Sequence, residues 1–180
     1  MKKSKTEPLK ERADWGLLDN MHWSENDNLF LGELKNGFDW QSLPALFFKL
    51  HGLDVEMPNL KIRPSIKVAH NWLNETDLIV NGRFIEVKSR NEKFTTPKSF
   101  PYPTIFVDTV SGYNAKNEKP IAYVMISRPT GNMLCVRADN PGGWAINKRF
   151  DNVRKIWDDF YLSPKERLQT LDVLVKFLKN

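Results

Sequence analysis

The clearest pattern in the chain is a pair of β-rich runs. Asp77-Leu78-Ile79-Val80 and Arg83-Phe84-Ile85-Glu86-Val87-Lys88 flank Asn81-Gly82. Asn-Gly between such runs predicts a two-residue hairpin, because both turn residues must accept positive φ. Upstream, Asp39–Leu50 reads as a helix, with Leu43, Phe47 and Leu50 at helical spacing and Pro44 tolerable in the first turn. Gly52 is its expected stop. Leu53–Glu56 and Leu60–Ile62 read as short strands, whereas His70–Asn74 has no firm pattern. Downstream, Arg90–Pro103 is polar, basic and Pro-containing, and so a loop. Thr104–Val110, Ile121–Ser127 and Met133–Arg137 are strand candidates, the last two joined through Pro129-Thr130-Gly131-Asn132. Ile146, Phe150, Val153, Trp157 and Phe160 follow an i, i+4, i+7 spacing that predicts a helix. Ser163-Pro164-Lys165-Glu166 then supplies an N-cap, an N1 proline and a capping-box Glu for a final helix with a buried stripe of Leu168, Leu171, Val175 and Leu178. Helix, several strands and then helices predict an α/β or α+β sandwich.

The ends and the composition narrow the class. Residues 1–13 are polar and basic and read as a mobile tail; residues 14–180 read as a single domain. Asp14–Asn36 mixes Trp15, Trp23, Leu29, Phe30 and Leu31 with acids and amides and receives no element. The chain is long enough for a core without disulfides or metals. It has no apolar run near the roughly 18 residues of a membrane span, no internal repeat, and no apolar stretch behind Met1-Lys2-Lys3-Ser4-Lys5 to make a secretory signal. Cys135 has no second cysteine to pair with, which fits a reducing, cytoplasmic setting, and it reads as a small core residue. A net charge of +5 and a pI near 9.3 favour polyanionic partners. Six Trp and eleven Phe exceed what such a core needs, leaving some for stacking on bases.

Counting outward from Asn81-Gly82 places Val80 opposite Arg83, Ile79 opposite Phe84, Leu78 opposite Ile85 and Asp77 opposite Glu86. Pairs alternate from the hydrogen-bonded closing pair, so Asp77 and Glu86 fall at a non-hydrogen-bonded position, with Cα atoms about 4.5 Å apart and side chains on one face. Lys88, two residues on, shares that face. Directly opposed carboxylates repel. A bound cation is the simplest reason to keep them among so many apolar neighbours, and Mg²⁺ is commonly held by one or two carboxylates with waters and substrate phosphates. The bland alternative is a salt bridge on a solvated edge strand, against which the apolar residues on both faces argue.

Asp77, followed across a short hairpin by Glu86-Val87-Lys88, resembles the PD-(D/E)XK nuclease superfamily. The resemblance implies an α/β, restriction-endonuclease-like fold, a central mixed β-sheet flanked by helices. It further implies Mg²⁺ dependence, with Mn²⁺ able to substitute, and hydrolysis of nucleic-acid phosphodiesters, DNA before RNA. Asp77, Glu86 and Lys88 become the catalytic residues; Asp77, Glu86 and the Val87 backbone carbonyl become metal ligands. Thr76 stands where the family usually has Pro. Where many members have a Glu on the first helix, this chain offers Gln41, with Glu33 upstream, as accessory residues. A compact nuclease of this type suits phage or mobile-element recombination or repair. Two alternatives remain: a catalytically inactive nucleic-acid-binding or protein-interaction module of the same fold, and a structure-specific resolvase acting as a homodimer.

Arg90, Lys93, Lys98 and Tyr102, with Phe100, form a candidate loop for gripping a phosphate backbone, or else a plain solvated loop. Asp108, Tyr113, Lys116 and Lys119 follow a strand near the site and read chiefly as a turn. His22, His51 and His70 lack metal-ligand spacing and read as structural.

Overall fold

The computed structural model describes residues 40–58, 76–151 and 155–180. The expected tail, the Asp14–Asn36 stretch, Glu33, His22, His70 and the Leu60–Ile62 strand lie outside the described residues. Residues 40–50 are helical (α1). They are followed by β1 (Val55–Glu56), β2 (Leu78–Val80), β3 (Arg83–Arg90), β4 (Thr104–Thr109), α2 (Val110–Ala115), β5 (Ala122–Ser127), β6 (Met133–Arg137), β7 (Ala145–Asp151), β8 (Ile156–Pro164), β9 (Gln169–Thr170) and α3 (Leu171–Leu178). The fold is α/β. A six-stranded sheet has the order β1-β2-β3-β5-β6-β9, and a three-stranded sheet the order β4-β8-β7. The large sheet is mixed: β3 and β5 run parallel and its other neighbours antiparallel. No helix among the described residues is long and apolar enough to cross a membrane.

Both faces of the large sheet are covered, which is why β5 reads as the unbroken run Ala-Tyr-Val-Met-Ile-Ser and is buried at every position. On one face Leu78, Val80, Ile85, Val124 and Ile126 pack with Phe48 of α1 and Leu174, Val175 and Leu178 of α3. On the other, Tyr123, Met125, Leu134 and Val136 pack with Ile105 and Val107 of β4 and with Phe94 and Phe100. Two aromatic plugs thus tie the loop between β3 and β4 to the second core. Alternation along β3 places Glu86, Lys88 and Arg90 on this second face, in register with Tyr123, Met125 and Ser127 of β5.

The hairpin adopts the counted register, Val80↔Arg83, Ile79↔Phe84 and Leu78↔Ile85. Its turn has φ of 48° at Asn81 and 74° at Gly82, the double positive φ that Asn-Gly accommodates. Asn81 also joins three elements. Its side chain accepts from the Asp54 N–H at 2.9 Å and donates to the Leu178 carbonyl at 3.1 Å, and its own N–H donates to the Asp54 carbonyl. Asn81→Ala should therefore lower unfolding stability by about 1–2 kcal/mol, from two lost hydrogen bonds and a left-handed residue without Asn's local support. Urea unfolding measures it, and an unchanged midpoint would show that the turn alone carries the corner.

The helical reading has three corrections. The inner residues of α1 are Ala45 and Phe48, while Leu43, Leu46 and Leu50 are exposed; the predicted stripe is rotated by about one residue. Gly52 is the stop, with φ of 77° and the Leu53 N–H closing onto the Phe48 carbonyl. The segment predicted as a helix through Ile146 and Phe160 is instead the β7–β8 hairpin. Its register sets Lys148 opposite Asp159, Arg149 opposite Asp158 and Phe150 opposite Trp157. Two opposite-charge pairs and an aromatic pair across the strands outweigh a spacing that suited helix by coincidence. The final helix begins at Leu171, not near Ser163, because Ser163 and Pro164 end β8 and Lys165–Arg167 form a single 3₁₀ turn. The stripe Leu168, Leu171, Val175 and Leu178 is buried as read, with Leu174 added.

Candidate active site

Thr76 and Asp77 lead into β2. The buried Thr76 hydroxyl lies 2.9 Å from the Leu78 carbonyl and 3.0 Å from that of Ile85, so it knits the hairpin where a Pro would have no donor. Asp77 stands just before β2, one residue outside the last register pair, Leu78↔Ile85. Its Oδ2 accepts from the Val87 N–H at 2.7 Å and its Oδ1 from Gln41 Nε2 of α1 at 2.7 Å. Gln41, expected as an accessory residue, thus orients Asp77 directly.

Glu86 is almost fully buried, at 5% exposure. Lys116 Nζ donates to its Oε1 at 2.7 Å, and Lys88 Nζ lies 3.5 Å from its Oε2. Lys88 also stands 3.7 Å from Asp108 Oδ1 of β4 and 5.9 Å from the centre of the Tyr123 ring. Tyr123 donates its phenolic O–H to Asp108 Oδ2 at 3.0 Å. Three carboxylates and two ammonium groups therefore converge on the second face of β3. With all five ionised, one negative charge is in excess.

The electrostatics follow from this crowding. Burial, and next the Glu86 charge, push the Asp77 carboxyl up to about 7, despite the opposing pull of Lys88, the Val87 N–H and Lys116. For Lys88, burial disfavours the charge, but Asp108, Glu86 and Asp77 outweigh it and hold the ammonium above its ordinary value. Burial, with Asp108 and Glu86, raises the Tyr123 hydroxyl, keeping it a neutral donor.

Asp77 and Glu86 offer hard oxygen donors in a buried setting, where burial and the facing Glu86 charge raise the Asp77 carboxyl. That donor set fits a divalent cation such as Mg²⁺. Among the described residues no group of three or more His, Cys, Asp or Glu side chains is placed to hold a metal. A cation at this pair would draw its remaining ligands from backbone, as at Val87, from water and from substrate phosphate.

The remaining candidates separate. Arg90 continues the same face, and its Nη2 donates to the Phe106 carbonyl at 2.9 Å. Lys93, Lys98 and Tyr102 are exposed on the loop, but Phe100 is core and forms no exposed grip. Tyr113 packs against Trp144 and Tyr161. Lys119 donates to the Asn114 and Lys116 carbonyls, bracing the turn that carries Lys116. His51 lies at the end of α1, with Nδ1 2.8 Å from the Phe47 carbonyl. Cys135 is fully buried, and burial raises its thiol to about 12, which makes it a core residue and no nucleophile. Sequence reasoning undervalued Asp108 and Lys116 and passed over Tyr123. Lys116 lies 30 residues from Glu86, and only the parallel pairing of β3 with β5 brings their region together. No family model, curated protein or solved structure matches the chain.

Proposed function

We propose that the chain is a metal-dependent nuclease of the PD-(D/E)XK kind, with a restriction-endonuclease-like fold, acting on DNA phosphodiesters. The observation that carries this reading is the convergence of Asp77, Glu86 and Lys88 on one face of a hairpin, with Asp77 held from the first helix by Gln41. A helix followed by an antiparallel hairpin whose second strand pairs in parallel with a later strand adds support.

A bound Mg²⁺ would supply Lewis-acid polarisation of the phosphate and a water of lowered pKa. The protein's own groups do the rest. Asp77 and Glu86 would hold the cation, with Gln41 and the Val87 N–H fixing the Asp77 carboxylate. Lys88, kept charged by its three carboxylate neighbours, stabilises negative charge developing on the phosphate, where a preorganised cation in a poorly hydrated site is most effective. Lys116 pairs with Glu86 and offsets its charge.

A second reading, a nucleic-acid-binding module without catalysis, is favoured by Gln41 in place of a first-helix acid. Incubating the protein with supercoiled plasmid and with single-stranded and duplex oligonucleotides, under Mg²⁺, Mn²⁺ or chelator, separates the two. Strand cleavage with either metal and none with chelator is expected. Binding without cleavage under all three conditions would select the inert module, and neither binding nor cleavage would end both readings.

A further inference from the structure

A cavity of about 300 Å³ lies beside the catalytic cluster, with Arg90, Glu92, Tyr102, Phe106, Met125 and Arg149 in its walls. Two of these residues fix its place. Arg90 follows Lys88 on the same face of β3, about 6.6 Å along the strand, and Met125 is the register partner of Lys88 on β5. The cavity therefore begins one side-chain position beyond the lysine.

Its lining has a specific chemistry. The Arg149 guanidinium lies 4.8 Å over the Phe106 ring, and Tyr102 stands at 53% exposure. These planar groups suit a flat ligand that stacks. Two guanidinium groups supply donors and Glu92 supplies an acceptor. A phosphate would meet the Glu92 carboxylate, and a purely apolar ligand would cover the two guanidinium groups without offering them an acceptor. Arg90 donates to the neutral Phe106 carbonyl, and burial depresses its pKa, as expected of a poorly hydrated cation. A nucleobase has a π-face for stacking and an edge carrying both acceptors and donors. The volume, at the small end of ligand pockets, holds one base only when that base is out of the helical stack.

We propose that this cavity receives a single unpaired nucleobase of a DNA strand. This rests on the nucleic-acid reading above and makes single-stranded or unstacked DNA the preferred substrate class.

The test is binding in chelator, which needs neither metal nor cleavage. Fluorescence anisotropy would follow a labelled single-stranded DNA hexamer and a set in which each base in turn is replaced by an abasic unit. One position should matter, its abasic form binding about five- to hundredfold more weakly, the range of a stacked base. Tyr102→Ala and Arg149→Ala change rim residues outside the core; each should weaken the intact hexamer and reduce the penalty at that position. The proposal is overturned if no position is sensitive, if both variants keep the full penalty, or if a free mononucleotide binds as tightly as the hexamer. Absence of metal-dependent cleavage alongside the positional penalty would refute the nuclease and leave the base pocket standing.

Discussion

Asp77→Asn and Lys88→Ala should each abolish nearly all cleavage, by at least about 10²- to 10³-fold, while leaving the fold intact. Neither side chain belongs to the apolar clusters that close the two faces of the sheet. The mechanisms of loss differ. Asn at 77 can still accept from the Val87 N–H, and Gln41 can turn its amide to accept from the new NH2, so the local geometry survives, but a neutral amide is a poor ligand for a hard cation. Ala at 88 leaves the carboxylate pair untouched and removes the charge that meets the phosphate. Cleavage rates at saturating Mg²⁺, with circular dichroism to confirm folding, measure both. Wild-type rates in both variants would place the chemistry elsewhere and reduce the hairpin to a structural element.

The second large effect is on pH dependence. Burial and the facing Glu86 raise Asp77 from 3.8 to about 7. Between about pH 4 and pH 7 the folded, metal-free chain holds a proton that the unfolded chain has released, so stability falls as pH rises through that window. A displacement of this size corresponds to at most about 4 kcal/mol by linkage, and residual solvent contact at Asp77 reduces it to about 1–3 kcal/mol. Asp77→Asn carries no such proton. In chelator it should match wild type below pH 4 and exceed it by about 1–3 kcal/mol at pH 8, as read from urea midpoints across the range. Cation affinity should change in the opposite sense, rising with pH toward about 7 as the Asp77 carboxyl ionises. A wild type and variant whose stability difference is constant from pH 4 to pH 8 would contradict the buried, repelling pair.

The hairpin was legible because its determinants are local. Asn81-Gly82 fixes the turn, two-residue alternation fixes the face, and the observed pairing of Leu78 with Ile85 follows from counting. The strand runs of β5 and β6 were legible for a related reason, since continuous burial leaves few polar interruptions. The rest depends on distant partners. Lys116 and Asp108 arrive through the crossover between β3 and β5, and nothing in their neighbours distinguishes them from turn residues. The β7–β8 hairpin lacks a glycine turn signal; its Lys155 takes a φ of 56° without one. Its evidence is cross-strand charge matching of Lys148 and Arg149 with Asp159 and Asp158, visible only once the register is known. Arg149 escaped notice as a site residue for the same reason, because its place in the cavity wall depends on that hairpin.

Whether the opposed carboxylates are a cation site is tested most directly by calorimetric Mn²⁺ titration at pH 8 of wild type, Asp77→Asn and Lys88→Ala. Wild type should bind Mn²⁺, Asp77→Asn at least about tenfold more weakly, and Lys88→Ala as tightly or more tightly, having lost a neighbouring positive charge. A wild type that binds no Mn²⁺, or an Asp77→Asn protein that binds it equally well, would contradict a metal-dependent centre at this hairpin.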